Sequence, residues 1–423
     1  MPTKSYMQKH IKNALKNPLF TGSFFLFSGG LLANFFNFLF NLLMSRNLMV
    51  EEYGLLTSIV SLITLLAIPA GAVTPTVVSA AGDYFANNNT SHLHAFYIKL
   101  FKPLAISGIL LLVLFFIFSR QAEEFFNIQN PLLFFIAIIC VLISYATTLN
   151  NSFAQANLAF RYLSFSNTVA AFVKVGSAFI LVIMGWGLYG AISGYVVSSL
   201  VLLIFGIYYL RNVIFYKSAN IPSISYKELI SFGIPSAVVI FCLNAFISND
   251  ILLVKHLFSA YQTGQYAGLS LVGRVIFYIS APISTVMFPI LINRYASKKN
   301  YKGVLYLSIL IVGAACLAIT GFYALFPNFA ILFFLKNKEY LAISQYLPLF
   351  GVFITLYSIL SLFGYYFLSI KKTNFAWILL VGTVLQSVLI YLFHADFGQI
   401  IYSSIIVTGG LLCISLYLLK TQK

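Results

Sequence analysis

Acidic residues are scarce in this chain of 423 residues, which contains 9 Asp and Glu but 25 Lys and Arg. All charged residues together make up 8% of the sequence, whereas hydrophobic residues make up 61%. Because so few charges cannot cover a soluble protein of this size, the composition indicates a membrane protein. The net charge of +16 does not indicate a nucleic-acid partner, because the positive residues are scattered over short connectors and form no basic face on a polar domain.

Cysteine and histidine are also rare, and their positions give no sign of a metal site or an acid–base site. The histidines lie outside the apolar runs and form no acid–base constellation. The connectors are too short to hold the catalytic loop of a membrane glycan polymerase or ligase. We therefore expect no enzyme, no cofactor and no bound metal. The cysteines stand singly in apolar runs and are interpreted as core side chains: Cys140, Cys242, Cys316 and Cys413.

Long apolar runs make up most of the chain and predict twelve transmembrane spans. Lys and Arg concentrate in every second connector, which by the positive-inside rule places both termini in the cytoplasm and supports an even number of spans. The connectors leave no room for a separate soluble domain. The predicted spans cover approximately residues 22–44, 55–81, 99–119, 131–151, 165–185, 187–210, 229–249, 265–292, 303–325, 342–367, 374–393 and 397–419.

The predicted fold is all-α, with two lobes of six transmembrane helices each. Residues 1–21 are predicted to form a cytoplasmic amphipathic segment, because Tyr6, Ile11 and Leu15 share one helical face. A disordered basic tail is the alternative for this segment. The remaining chain is divided into an N-terminal lobe at 22–210, a cytoplasmic linker at 211–228 and a C-terminal lobe at 229–423.

The two halves of the sequence share a pattern that predicts a parallel internal repeat. Tyr53 opens the second span and Tyr266 opens the eighth, about half the chain apart. Each tyrosine is followed at the same distance by a proline, Pro69 or Pro282. The matched spans are an even number of crossings apart and so run in the same direction, which places the repeat axis along the membrane normal. Two six-helix bundles with a cavity between them are the expected architecture.

Further prolines strengthen the match between the second and eighth spans. Proline removes a backbone hydrogen-bond donor and bends a helix. Kinks at equivalent places in both halves are candidate gating elements, and a static bend is the alternative. The prolines of this set are Pro69, Pro75, Pro282 and Pro289.

Two cations, Lys174 and Arg274, lie far from the ends of their predicted spans. This depth is close to the middle of a hydrocarbon layer about 30 Å thick, where an isolated charge costs on the order of several kcal/mol. No carboxylate lies at a matching depth in the predicted spans. Buried cations of this kind face a cavity, a partner or a substrate, so the two residues predict an anion site. Snorkelling or hydrogen bonding to backbone carbonyls is the alternative.

Polar side chains recur at helical spacing on several spans, which places each set on one stripe of its helix. Together with the two cations, these stripes favour a wet central cavity that binds a substrate. Hydrogen bonding between helices is the alternative for any single stripe. Besides Lys174 and Arg274, the candidate substrate-binding residues are Asn34, Asn37, Asn41, Asn151, Asn244 and Tyr278.

Several short motifs resemble those of polysaccharide-export flippases. Residues 44–48 (Met-Ser-Arg-Asn-Leu) and 51–54 (Glu-Glu-Tyr-Gly) are similar to the signature that follows the first span of Wzx-like O-antigen and capsule repeat-unit transporters. The second half is similar to the same family at residues 228–235, 249–250 and 264–267. These transporters form a branch of the multidrug/oligosaccharidyl-lipid/polysaccharide exporter superfamily.

The resemblance implies a flippase with a MATE-like fold. Such a protein moves an undecaprenyl-diphosphate-linked oligosaccharide from the cytoplasmic to the outer leaflet by alternating access, for O-antigen, capsule or exopolysaccharide assembly. The resemblance also implies the inner membrane of a bacterium as the location, and contacts with membrane lipids and a polysaccharide polymerase. By their place in the family motifs, four residues are assigned to structure or gating: Arg46, Tyr53, Gly54 and Asp250.

Two other transporter classes are the alternatives. A peptidoglycan-precursor flippase also carries a lipid diphosphate, but that family usually has two further spans. A multidrug cation exporter shares the fold, but it needs buried carboxylates to bind cations, and the predicted spans hold none at mid-depth. The buried charges of this chain have the opposite sign.

Overall fold

The structure of the protein, a computed structural model, describes residues 18–71, 73–126, 131–216, 226–297 and 300–421. The predicted N-terminal segment falls largely outside these residues, and so does much of the predicted linker. Throughout the described residues the regular structure is helical, as the sequence predicts, and no strand occurs there.

The helices follow one another with short connections, and each predicted span overlaps with one or two of them. A π-helix occupies Val182–Trp186, and a 3-10 helix occupies Lys338–Tyr346. The α-helices are α1 (Pro18–Asn47), α2 (Val50–Gly71), α3 (Thr74–Ala86), α4 (Thr90–Phe126), α5 (Pro131–Ala156), α6 (Phe160–Leu181), α7 (Gly187–Ile214), α8 (Tyr226–Phe246), α9 (Asn249–Leu257), α10 (Ala260–Gly273), α11 (Val275–Ala296), α12 (Lys302–Leu325), α13 (Pro327–Leu335), α14 (Leu347–Ser369), α15 (Phe375–Leu392) and α16 (Phe397–Lys420).

The helices are long and apolar because lipid offers no hydrogen-bond partner to a free backbone group, and a helix satisfies its own. Among the described residues, 9 helical stretches are long and apolar enough to cross a membrane, or 10 if a bent pair counts as one span. One stretch, Phe160–Ile214, has 55 residues, whereas a single crossing needs about 20. The protein is therefore a multi-pass, all-helical membrane protein. The number of twelve spans and the internal repeat stay predictions.

Two glycines divide this long stretch where the sequence predicts the boundary between two spans. Gly185 has a φ of 91° and Gly187 has a φ of 48°. Residues with a β-carbon are disfavoured in this left-handed region, so glycine lets the chain turn between α6 and α7. The two helices then pack side by side, and α1 packs against α6.

The interruptions of the second and eighth spans do not match. α2 ends at Gly71, between Pro69 and Pro75, whereas Arg274 separates α10 from α11. Pro282 lies buried inside α11, well beyond that interruption. The gating role of kinks at the matched prolines stays a prediction.

Two short helices lie where the sequence predicts the end of a span or a connector. α9 follows α8 at an angle of 47°, so the predicted seventh span is bent. α13 has a proline in its first turn, where a missing N–H is harmless, and it ends at Lys336, which has a φ of 54°. Both short helices belong to the second half of the chain (α8–α16), and both contact the first half (α1–α7).

The two halves meet most closely where α1 ends and α2 and α10 begin, a region called the joined end below. There Gly54 of α2 packs against Gly264 of α10. A β-carbon at position 54 would lie 2.7 Å from the Cα of Gly264, so the two backbones touch directly. Nearby, Arg46 donates hydrogen bonds of 2.8 and 3.0 Å to the carbonyls of Phe334 and Phe333. These contacts fasten the first half to the second at this end.

Candidate functional site

Lys174 lies on α6 and is buried, with 7% of its surface exposed. Its ammonium group donates a hydrogen bond of 2.5 Å to the side-chain oxygen of Asn37 on α1. The same group lies 4.4 Å from the centre of the Tyr195 ring and 5.0 Å from that of Phe40, distances at which aromatic faces attract a cation. Within the described part of the chain no carboxylate pairs with Lys174, so neutral groups alone hold its charge.

Arg274 is paired with a carboxylate, and the expectation that none lies at its depth is wrong. Nη2 of Arg274 lies 3.5 Å from Oδ1 of Asp250, whose side chain is completely buried. The linear sequence hides this pair, because a straight seventh span would end near Asp250. In the structure α8 stops at Phe246 and α9 turns away, which leaves Asp250 beside the break between α10 and α11.

The pair fills a gap in the backbone hydrogen bonds of the bent seventh span. In a continuous helix the Ile251 N–H would bond to the Ile247 carbonyl. Instead, the Ile251 N–H donates over 2.8 Å to Oδ1 of Asp250, and the Ile247 carbonyl accepts a hydrogen bond from Nη2 of Arg274. The two side chains therefore satisfy both backbone groups that the bend separates, as a buried break requires.

The members of the pair differ in how fully their hydrogen-bonding groups are used. Asp250 also accepts a hydrogen bond of 3.0 Å from the Tyr266 hydroxyl. Nε of Arg274, by contrast, is buried and has no hydrogen-bond partner among the described residues. Because a guanidinium carries five N–H donors in a planar fork, Arg274 retains donors for a further acceptor.

A cavity of about 370 Å³ lies between α1, α6 and α7. Asn37, the partner of Lys174, is part of its wall, together with Asn34 and Asn167. Ser164 and Ser198 add hydroxyl groups to the same wall. This amide cavity therefore offers groups that both donate and accept hydrogen bonds, beside a buried positive charge.

A second cavity, of about 220 Å³, lies between α1, α11 and α13, where the first half meets the second. Its wall is mostly apolar and includes Phe35, Phe38 and Tyr278. Phe38 packs edge-on against Tyr278, with ring centres 6.1 Å apart. Asn34 lines both this aromatic cavity and the amide cavity, so the two adjoin along α1.

Three candidate asparagines line neither cavity. Asn41 and Asn244 each donate a hydrogen bond to a carbonyl one turn earlier in their own helix, at 2.9 and 2.8 Å. Asn151 is half-buried near the C-terminal end of α5. Helical spacing identifies the polar face of a helix, but it does not tell which amides bond to their own backbone.

The two cations do not share a cavity in this structure. Neither Lys174 nor Arg274 is part of either wall. Lys174 reaches the amide cavity through Asn37, and Arg274 directly precedes Val275, which lines the aromatic cavity. The hypothesis that one anion contacts both cations therefore requires a movement of side chains or of the two halves.

The residues assigned to structure or gating lie at the joined end or in the interrupted spans. Arg46 and Gly54 make the contacts between halves described above, and Tyr53 is buried beside them. Asp250 lies at the bend of the seventh span. A gating role for these residues stays a prediction. The prolines of this set all lie inside helices: Pro69 in α2, Pro75 in α3, and Pro282 and Pro289 in α11.

Sequence reasoning does not select Tyr195, and it selects Tyr266 only as a marker of the repeat, although each contacts a buried charged side chain. With 27 tyrosines in the chain, composition gives neither residue a role at the site. Ser164 had a usable signal, because its spacing from Asn167 and Lys174 places all three on one face of α6. Ser198 had no comparable pattern around it.

The sequence matches the family described as polysaccharide biosynthesis protein over residues 19–293, which include both buried cations. This chain belongs to that family. A membrane protein of uncharacterised function from Methanocaldococcus jannaschii is 25% identical to this polysaccharide biosynthesis protein over 317 residues, which are 69% of this chain and 73% of the relative.

Solved structures of membrane transporters share the fold of this family member. The lipid II flippase MurJ in an inward closed conformation is similar with a TM-score of 0.69 and 15% identity, over 94% of this chain and 87% of that chain. An inward-facing multidrug resistance MATE family transporter of the MOP superfamily is similar with a TM-score of 0.64 and 17% identity, over 95% and 100%. The eukaryotic MATE transporter AtDTX14 is similar with a TM-score of 0.67 and 16% identity, over 95% of each chain. The likeness confirms the predicted MATE-like fold.

Proposed function

We propose that this protein is a flippase that moves an undecaprenyl-diphosphate-linked oligosaccharide from the cytoplasmic to the outer leaflet by alternating access, for O-antigen, capsule or exopolysaccharide assembly. Membership of a polysaccharide biosynthesis family and a transporter fold support a membrane transporter in this process rather than an enzyme. The observation that carries the finer proposal is Lys174, a buried charge without a carboxylate partner in the described chain, which is hydrogen-bonded to Asn37 in the wall of a cavity lined by amides.

The polar part of such a cargo matches the amide cavity in chemistry and size. Sugar hydroxyls both donate and accept hydrogen bonds, and so do the side chains of Asn34, Asn37 and Asn167. A volume of about 370 Å³ falls in the range of small-ligand sites. The phosphate groups next to the first sugar would find the positive charge of Lys174 within reach through Asn37.

The lipid part of the cargo fits the boundary between α1 and α11. There the aromatic cavity has a mostly apolar wall, and Phe35 on that wall is 57% exposed, which means that protein does not cover it. An apolar opening between two helices lets a prenyl chain stay in the bilayer while its head group enters the protein. Membrane lipids are therefore partners of the same surface.

The joined end gives the direction of access. If both termini are cytoplasmic, as the positive charges of the connectors predict, the joined end faces outward and is closed in this structure. A cargo made in the cytoplasm would then enter from the opposite end. From the resemblance to repeat-unit flippases we place the protein in the inner membrane of a bacterium, with a polysaccharide polymerase as the partner that consumes the exported repeat unit.

The buried carboxylate of Asp250 favours a second candidate, a multidrug cation exporter. Such an exporter needs a carboxylate that is free to bind a cation. Asp250 is instead paired with Arg274 at 3.5 Å, which cancels its charge. A flippase for another lipid diphosphate, such as a peptidoglycan precursor, would use the same groups and would differ only in the glycan.

Deletion of the gene with mass analysis of lipid-linked intermediates tests the function. Accumulation of a single oligosaccharide repeat unit on undecaprenyl diphosphate, reversed by the wild-type gene, is the expected result. Accumulation of a peptidoglycan precursor would favour the lipid-diphosphate alternative. Normal levels of both, combined with a gain in sensitivity to cationic drugs, would contradict the flippase proposal and favour the exporter.

A further inference from the structure

Arg274 and Asp250 form an unequal ion pair. Their shortest distance of 3.5 Å exceeds the value of about 2.8 Å that charge-assisted hydrogen bonds reach. Asp250 has two other hydrogen bonds, from the Ile251 N–H and the Tyr266 hydroxyl, and neither involves the guanidinium. Arg274 makes one hydrogen bond, to the Ile247 carbonyl, and its buried Nε has no partner in the described chain. The Tyr266 hydroxyl can therefore hold Asp250 in place when Arg274 turns away.

We propose that Asp250 is a resident counter-anion, which the diphosphate group of the cargo displaces from Arg274. This inference rests on the proposed function, because it assumes an anionic cargo, and it adds a competitor to the binding site. A diphosphate presents pairs of oxygens that match the guanidinium fork, so it can accept from Nε and one Nη together. Asp250 approaches Arg274 with one oxygen only.

The positions of the two side chains make the exchange one-sided. The Arg274 side chain is 19% exposed, whereas that of Asp250 is completely buried. Val275 and Tyr278, which follow Arg274 in the chain, line the aromatic cavity between the halves. Arg274 is not part of the cavity wall, so its partly exposed guanidinium must turn to reach an anion there, while the carboxylate, which would repel the anion, stays buried.

The exchange also changes the backbone at the bend of the seventh span. When Arg274 turns to the cargo, the Ile247 carbonyl loses its donor. The Ile251 N–H, now bonded to Asp250, is the group that would bond to that carbonyl in a continuous helix. A direct bond between them would satisfy both groups, would leave Asp250 with its hydrogen bond from Tyr266, and would change the angle between α8 and α9, which is 47° here. Anion binding is thereby coupled to helix geometry, because the two geometries differ in their affinity for the anion.

A resident competitor also makes the site selective. Only an anion that binds Arg274 better than Asp250 does can complete the exchange. Pyrophosphate carries more charge and more oxygens than orthophosphate, so the competition favours a diphosphate over a single phosphate group. Removal of Asp250 should weaken this preference while it raises the affinity for both anions.

Calorimetric binding of inorganic pyrophosphate and orthophosphate to the purified full chain in nanodiscs tests the competition. Asp250→Asn should bind pyrophosphate about tenfold more tightly than the wild type, which corresponds to about 1.4 kcal/mol, and should lose much of the preference over orthophosphate. Asp396→Asn is the matched control, because Asp396 is a carboxylate that caps α16 at the protein surface. This control should leave both affinities unchanged.

Hydrogen exchange distinguishes partner exchange from a general effect of charge. Saturating pyrophosphate should slow amide exchange in residues 247–257 of the wild type, because a backbone bond forms across the bend. Orthophosphate at equal ionic strength should not. Pyrophosphate binding without any change in this segment would overturn the exchange, and so would an unchanged or weaker affinity in Asp250→Asn.

A second variant covers the case in which Asp250→Asn does not fold. Tyr266→Phe removes one hydrogen bond from Asp250 and leaves its carboxylate more dependent on Arg274, so pyrophosphate should bind several-fold more weakly. Equal or tighter binding in this variant would contradict the proposal. These results are separable from the flippase function, since absence of pyrophosphate binding in every variant would overturn the diphosphate cargo as well, whereas binding without competition would overturn the exchange alone.

Discussion

In the predicted internal repeat α1 is equivalent to the pair α8–α9, and the two contribute different partners to a buried cation. The spacing that relates Tyr53 to Tyr266 also relates Asn37 to Asp250. At this position α1 is continuous and contributes a neutral amide to Lys174, whereas the second half is bent by 47° and contributes a carboxylate to Arg274.

The two halves therefore differ in how the charge of the buried cation is balanced. In the described chain no carboxylate pairs with Lys174, so an anion at the first half would meet no resident competitor. Arg274 is paired with Asp250, and in the exchange proposed above another anion has to replace this carboxylate. In that proposal the first half binds an anion without competition, and the second half responds to the ligand.

Replacement of Lys174 should have the largest effect, because it removes the buried cation that has no carboxylate partner in the described chain. Lys174→Met should reduce export on the order of a hundredfold, consistent with the loss of a charge contact in a low-dielectric site. Lys174→Arg should retain part of the activity, and Lys174→Glu should be worse than Met. The measurement is the accumulated lipid-linked repeat unit in complemented deletion cells.

Lys255→Met is the control for this series, because Lys255 is also a buried lysine but lies on α9. Normal export with Lys174→Met, at normal membrane levels, would show that export does not depend on the charge of Lys174. The proposed difference between Lys174 and Arg274 would then be wrong.

Gly264→Ala should separate the halves at the joined end. The added β-carbon would overlap the backbone carbonyl of Val50, and overpacking of this kind costs about 1–3 kcal/mol. Spin labels at exposed positions Met49 and Lys336, with Cys413 replaced by serine, should report a longer and broader distance distribution. Gly313→Ala is the control, because a β-carbon there meets open space. Identical distributions in both variants would show that the joined end tolerates a side chain.

Asn37→Asp should make the first half resemble the second. A carboxylate at this position would pair with the Lys174 ammonium, which now lies 2.5 Å from the amide oxygen. Export and pyrophosphate affinity should fall about tenfold, the effect of about 1.4 kcal/mol. Asn41→Asp, one turn further along α1, is the control for an added charge. Unchanged affinity in Asn37→Asp would mean that neutral and charged partners are equivalent here.

Asn244→Ala should have the smallest effect. Its amide bonds to the Ile240 carbonyl in its own helix and lines neither cavity, so export should stay within about twofold of the wild type. A tenfold loss would indicate that Asn244 contacts the cargo in another conformation, and the second half would then contribute an amide as the first half does.

The sequence predicts the helices of this fold well and their interruptions poorly. A long apolar run in lipid forms a helix because its backbone groups find no other hydrogen-bond partner, so the spans follow from the apolar runs alone. The bend after Phe246 and the break at Arg274 depend on contacts between residues far apart in sequence. No pattern within either segment reports such contacts.

The site was predictable in part for the same reason. Lys174 stands out because charge is rare in apolar runs, and Asn37 stands out by its spacing on α1. The pairing of Arg274 with Asp250 does not stand out in the sequence. A prediction that assumes a straight helix gives the wrong depth to a residue that follows a bend. The predicted internal repeat does relate the two sites, because Asn37 and Asp250 are equivalent positions in it.

The contact of Gly54 with Gly264 has a consequence for the passage of water and ions through the joined end. Two backbones in direct contact leave no gap for a file of water molecules between them. A seal formed by side chains would open transiently with each rotamer change, whereas a backbone seal opens only when whole helices move. In the proposed flippase this contact would limit ion leakage through the joined end while cargo enters from the opposite end, and a leak current in reconstituted vesicles would be the signature of its loss.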